Sequence, residues 1–245
     1  RQALPTAGQQ LLATAIEDAA EFVVDLFPGK SRTGQGHANQ WCFKEQPQPL
    51  VALAQLLQQP LERFAAESGK ATSIVRYAPG SAFSPHQHPA GEEILVLDGV
   101  FSDEHGDYPA GYWLKNPPGS QHAPSSPDGC LLFVKLCHLT ADDEIAGRID
   151  TRSAQWQPGL VEGLSVLPLD SVGTTHTALV RWAPQTFFNP HRHWGGEEIL
   201  VIEGVFSDEH GDYPAGSWLR SPHMSQHQPF SREGCLILVK TGHLT

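Results

Sequence analysis

Apolar residues in this chain come in short runs broken by turn formers, not in long amphipathic periods. Ala71–Arg76 and Thr177–Arg181 are rich in β-branched residues, and Glu93–Leu97 and Glu198–Ile202 end at Gly99 and Gly204. Cys130–Leu136 and Cys235–Lys240 are nearly continuous apolar runs, and Trp113–Leu114 and Trp218–Leu219 sit in further short ones. Runs this short, set roughly 8–12 residues apart by Gly and Pro, predict strands of a small barrel or sandwich. Closing the sheet also hides the strand edges that would otherwise recruit other chains.

The pattern is written twice. Residues 76–140 and 181–245 align without a gap at an offset of 105, with 42 of 65 positions identical, and GVFSDEHGDYPAG at 99–111 recurs whole at 204–216. Units of this length exceed solenoid repeats and are each large enough for a small domain. The polar stretch 141–157 joins them. The expected organisation is an extension over 1–40, a first domain over 41–145 and a second over 146–245. In the extension, Thr6 and Gln9 suit a capping box, and Leu12, Ile16, Ala19, Val23 and Phe27 fall near helical spacing, although Phe22–Phe27 also alternates. A helix is the expectation there, and a second short one over Leu50–Leu57, before Pro60.

Composition narrows the function. With 245 residues, 40% of them apolar, the chain can build a core, and 23 Gly with 20 Pro agree with many turns. A net charge of −11 from only 16 basic residues argues against nucleic acid or an anionic membrane as partner. No apolar run approaches the ~20 residues of a spanning helix. Four cysteines without a C-x-x-C (Cys42, Cys130, Cys137, Cys235) do not make a disulfide framework, so a reducing cytoplasm is the expected compartment. Cys130 and Cys235 begin apolar strands and read as buried small hydrophobes. Nucleophile-elbow, P-loop and dinucleotide fingerprints are missing.

The chemistry lies in the histidines, 13 in all. His86 and His88 are two apart on an expected strand and so share a face. Glu92 keeps their parity, and His122 follows after a Gly- and Pro-rich connection. The second copy repeats the set as His191, His193, Glu197 and His227. Three neutral imidazoles and a carboxylate suit a divalent first-row transition metal, leaving one or two positions for water or substrate if coordination exceeds four. A four-coordinate zinc would be closed and structural. Up to two ions per chain are expected. Glu93 and Glu198 are alternative carboxylates. SDEHGDY, with His105 and His210, reads as an exposed acidic turn, with a cation site from Asp103, Glu104 and Asp107 as a weaker alternative. Phe83 and Phe188, just before the H-x-H pairs, are candidates to wall the pocket.

Gly80, His86, His88, Glu92 and Gly99 match the first cupin motif, G-x5-H-x-H-x3/4-E-x6-G. Gly111, Pro117, Gly119 and His122 match the second, with Ser126 in place of its Asn. The second copy keeps all four ligand positions but has Gln185, Met224 and Ser231 where the motifs have Gly, Gly and Asn. The finer wording, including EEILVLDGVFSDEHGDYPAG and NPPGSQH, resembles the ChrR-like cupins, whose members include zinc-dependent anti-sigma factors. The resemblance implies an all-β bicupin: two tandem jelly-roll barrels behind a short N-terminal segment. It implies zinc first, with iron, manganese or nickel as alternatives, and either dioxygenase-type chemistry on a small molecule or metal-based sensing. Structural metal is a third reading. Anti-sigma members carry an H-x3-C-x2-C module, whereas this chain offers His37 and Cys42 at H-x4-C spacing, so sigma-factor binding is not expected. A small-molecule ligand is the expected partner, and a homodimer through barrel edges is allowed.

Overall fold

The computed structural model describes residues 39–41, 56–63 and 70–244, and every regular element among them is a β-strand. The described residues fall into two compact units, one holding 56–63 and 70–180, the other 39–41 and 181–244. The helix expected within the first 40 residues, from Thr6 to Phe27, lies outside the described residues, and Asn39–Trp41, where the extension meets the first expected domain, is a strand. The helix expected over Leu50–Leu57 is corrected where it is described: Leu56 and Leu57 open the strand Leu56–Arg63. Proline tolerates a strand at a sheet edge or a bulge, and Pro60 has both, on the outermost strand beside a register shift between Pro60 and Glu62. No helix of the described residues is long and apolar enough to cross a membrane.

In the first unit the main sheet runs, in spatial order, Gly147–Asp150, Tyr112–Asn116, Glu92–Asp103, Cys130–Leu136, Ala71–Tyr77 and Leu56–Arg63, with antiparallel pairing throughout. The long central strand Glu92–Asp103 serves two layers. Its first half pairs within the main sheet, and its second half pairs with Gly106–Pro109 and Ser125. The bend between them is a bulge opposite Leu131/Leu132, followed by Gly99 at φ +71°. A side chain on Gly99 would strike the Gly129 carbonyl oxygen, so only glycine fits. Between the layers lies the apolar core, with Ile94, Val96, Phe101, Leu114, Leu132 and Val134 at its centre. Burying each such side chain contributes about 1.5–3 kcal/mol.

The second unit repeats the plan. Glu197–Asp208 pairs with Trp218–Ser221 and Cys235–Thr241, then with Gly211–Pro214, and is bent by a register shift between Val201 and Glu203 ahead of Gly204 at φ +72°. Asn39–Trp41 adds to Trp218–Ser221, with Gln40 opposite Leu219. The two glycines that the second copy lacks do not change its loops. Gln185 and Met224 take φ of +62° and +65°, matching +77° at Gly80 and +79° at Gly119. A side chain at either glycine would meet nothing within 4 Å, so the replacements cost backbone strain but no collision.

Candidate metal centres

In each unit a short two-stranded ladder brings the histidines together. His86–His88 pairs antiparallel with Ser120–His122, placing His86 opposite His122. In the second unit His191 lies opposite His227. The H-x-H spacing turns His86 and His88 to one side, and the register delivers the third imidazole onto the same side.

The nitrogen atoms converge. His88 Nε2 and His122 Nε2 are 2.9 Å apart, as are His193 Nε2 and His227 Nε2. Donor atoms of His86, His88 and His122 lie within 4.8 Å of one another, and so do those of His191, His193 and His227. Both groups could hold a metal ion. Glu92 Oε2 is 3.6 Å from His88 Nε2 and from His122 Nε2. Glu197 Oε2 is 3.4 and 3.6 Å from the matching atoms. Two ligands about 2.1 Å from one ion are about 3.0 Å apart at a right angle and about 3.4 Å apart at a tetrahedral angle. The His88, His122 and Glu92 donors, and those of His193, His227 and Glu197, therefore match a coordination shell in type and spacing, with a nitrogen of His86 or His191 within 4.8 Å of the other imidazoles. Backbone contacts set the tautomers: His86 Nδ1 donates to Ser84 O and His191 Nδ1 to Asn189 O, each at 3.0 Å, which leaves Nε2 with a free lone pair.

Burial shapes the protonation. It pushes the Glu92 and Glu197 carboxyls up to about 7. It lowers His88 to about 4 and His193 to about 3, helped by the neighbouring imidazoles, and holds His122 and His191 below the usual imidazole range. His227 goes the other way. Burial lowers it, but the hydrogen bond to Asp208 and the charge of Glu197 outweigh that. The imidazoles of the first centre that shift are thus kept neutral and ready to ligate. His86 is exposed and opens its centre to solvent, while His122 and His227 are buried.

The alternative carboxylates do other work. Glu93 points to the opposite face of the strand, where Trp113 Nε1 donates to it at 3.0 Å and His138 Nε2 lies 2.8 Å away. His243 Nε2 lies 3.3 Å from Glu198 in the second unit. The SDEHGDY motif proves two-sided. Glu104 and His105 form an exposed turn, but the Asp103 and Asp208 side chains are buried beneath the centres, 3.8 Å from His122 Nδ1 and 3.4 Å from His227 Nδ1. The carboxylates of Asp103, Glu104 and Asp107 accept from different partners (Tyr108 Oη, Ala123 N and Ser102 Oγ) rather than converging as a cation site. Phe188 packs against His191 with ring centroids 5.0 Å apart, while Phe83 packs on Tyr77 at 5.0 Å. Cys130 and Cys235 are buried and free, and burial raises both thiols, Cys235 to about 11. His37 and Cys42 lie outside the described residues.

The sequence model of the ChrR cupin-like domain matches residues 46–140 and again 146–245. The chain belongs to the ChrR cupin-like family. No curated protein matches it. Among solved structures, this cupin resembles a candidate dioxygenase from Nostoc punctiforme at 14% identity and a TM-score of 0.66, covering 77% of this chain and 74% of the other. A candidate glyoxylate-induced protein from Pseudomonas aeruginosa matches at 14% identity and 0.62, over 76% and 80%. Oxalate decarboxylase from Bacillus subtilis, studied for its Mn(II) centres, matches at 17% identity and 0.52, over 73% and 70%. At these identities the likeness is one of fold alone; the family match over both segments is what identifies both barrels as cupins.

Proposed function

We propose that this bicupin is a metal-dependent catalyst of small-molecule, dioxygenase-type chemistry, with His86, His88, Glu92 and His122 holding one ion and His191, His193, Glu197 and His227 another. The observation that carries this reading is the convergence of imidazole Nε2 atoms and a buried carboxylate oxygen at ligand spacing, twice, in centres that the chain does not seal. A bound transition metal supplies Lewis acidity or, if redox-active, electron exchange with O₂. The chain's own part is to keep His88, His122, His191 and His193 neutral by burial, to hold the ligands through backbone and side-chain hydrogen bonds, and to leave the His86 side open to a substrate. The structural relatives named for a dioxygenase and for a manganese decarboxylase support small-molecule chemistry on this fold.

Metal analysis of the full chain with His86→Ala and His191→Ala variants tests the proposal. Two equivalents of Fe, Mn, Ni or Cu, one lost in each variant, together with O₂ uptake on a panel of diketones, aromatic ketones and hydroxy acids, is the expected result. Absence of metal, with none taken up from an added series, overturns it. The ChrR family match favours a second reading, a zinc-dependent sensor. Two zinc ions without turnover on the panel would select that one.

A further inference from the structure

The two centres share a ligand set but not its support. In the first, Asn116 Nδ2 donates to Glu92 Oε2 at 2.8 Å, and Asn116 Oδ1 accepts from Arg148 Nη2 at 2.6 Å. Arg148 Nε also donates to Tyr108 Oη at 3.2 Å, and Tyr108 Oη donates to Asp103 at 3.1 Å. The same guanidinium lies 3.8 Å from Asp103 Oδ2, which is itself 3.8 Å from His122 Nδ1. Arg148 Nη1 is taken up by the carbonyls of Lys115 and Gly147 at 3.0 and 2.7 Å. Every nitrogen of this side chain is engaged with the protein, so it is not a substrate hook. It fixes which way the Asn116 amide faces and thereby where the Glu92 oxygen points.

The second centre lacks the amide that steadies the glutamate. Ser221 stands where the repeat places Asn116, and Glu197 Oε2 is buried without a hydrogen-bond partner among the described residues. Arg148 sits opposite Leu114 on its edge strand, and the register position opposite Leu219 belongs to Gln40. The Tyr–Asp link is common to both centres, Tyr213 Oη donating to Asp208 at 2.9 Å, and Asp208 holds His227 Nδ1 at 3.4 Å where Asp103 stands 3.8 Å from His122 Nδ1; the difference lies at the glutamate.

We infer that Arg148, acting through Asn116, is a positioning residue for the first centre, and that the two centres hold metal unequally, the first more tightly. This rests on the proposal that both centres bind metal. A carboxylate already held in its ligating pose loses less freedom on binding, and partners of this kind are worth about 10–100-fold in metal affinity.

Co(II) binding to the full chain, measured by chelator competition and by the visible Co(II) spectrum, tests it. His191→Ala isolates the first centre and His86→Ala the second. The first is expected to bind Co(II) about 10–100-fold more tightly than the second. Arg148→Lys and Asn116→Ser should each remove most of that advantage and shift the first centre's spectrum. The pair together should do little more than either alone, because they belong to one contact chain. Lysine keeps the charge but cannot make the fork, so failure of Lys to rescue separates positioning from charge. The second centre serves as the folding control and should be unchanged in these variants. Equal affinities in the unaltered chain, or variants that move both centres or neither, overturn the inference while leaving the metal proposal standing. No Co(II) binding at either centre overturns both.

Discussion

Glu92 is buried and carries its proton up to about pH 7, because burial disfavours the carboxylate more than the Asn116 hydrogen bond and the charge of Arg148 favour it. A metal that uses this oxygen must displace that proton. Affinity at the first centre therefore falls as pH falls through 7, independently of the histidines. With a pKa of about 7, the competing proton weakens binding by a factor of about 1.1 at pH 8 and about 11 at pH 6, a tenfold loss. A carboxyl at its ordinary value near 4.3 would cost only a few per cent over the same interval. Glu92→Gln removes this titration and leaves the imidazoles. In a His191→Ala background, metal affinity by chelator competition at pH 8 and pH 6 should drop about tenfold more in the parent than in Glu92→Gln. Calorimetry at pH 6 should show nearly one additional proton released by the parent. Parallel pH profiles for the two proteins would refute the argument, showing either that Glu92 is an ordinary carboxyl or that its proton does not compete with the metal.

Two further outcomes follow from the backbone and the core. Gln185 and Met224 occupy the left-handed region at φ +62° and +65°, where glycine is free of the penalty, so Gln185→Gly and Met224→Gly should each raise stability by up to about 1 kcal/mol in denaturant unfolding. A loss of stability in both would refute the strain assignment. Cys130 and Cys235 are buried, with thiols pushed above their usual range, and should resist a thiol reagent at pH 8 until the protein is unfolded. Labelling of either at the rate of a free thiol would contradict their place in the core.

What the sequence made legible was what repetition and strand parity encode. His86, His88 and His122, and their counterparts at offset 105, were visible because a two-residue period puts alternate side chains on one face and because a duplicated chain preserved the same polar positions. The parity argument also separated Glu92 from Glu93, although only the contacts show Glu93 engaged by Trp113 and close to His138 on the other face. Arg148 was illegible. It lies in the polar stretch that reads as a joining segment, and its importance comes from a strand pairing, Arg148 opposite Leu114, that no local pattern announces. Asp103 and Asp208 were hidden differently. They sit in an acidic motif whose composition says solvent, yet they are the last residues of their strands, turned inward beneath His122 and His227, while Glu104 and Glu209 begin the exposed turn. Pro60 misled in the same way, since a proline after an apolar run suggests a helix end, but an outermost strand with a register shift does not need its missing N–H. The candidate ligands follow local spacing and so can be read along the chain. Asn116 against Ser221 is likewise visible in the repeat, but Arg148 reaches the first unit's sheet only through the distant strand that closes its edge. Functional divergence between duplicated barrels can therefore arise without altering a single ligand, through the identity of the strand that each barrel recruits.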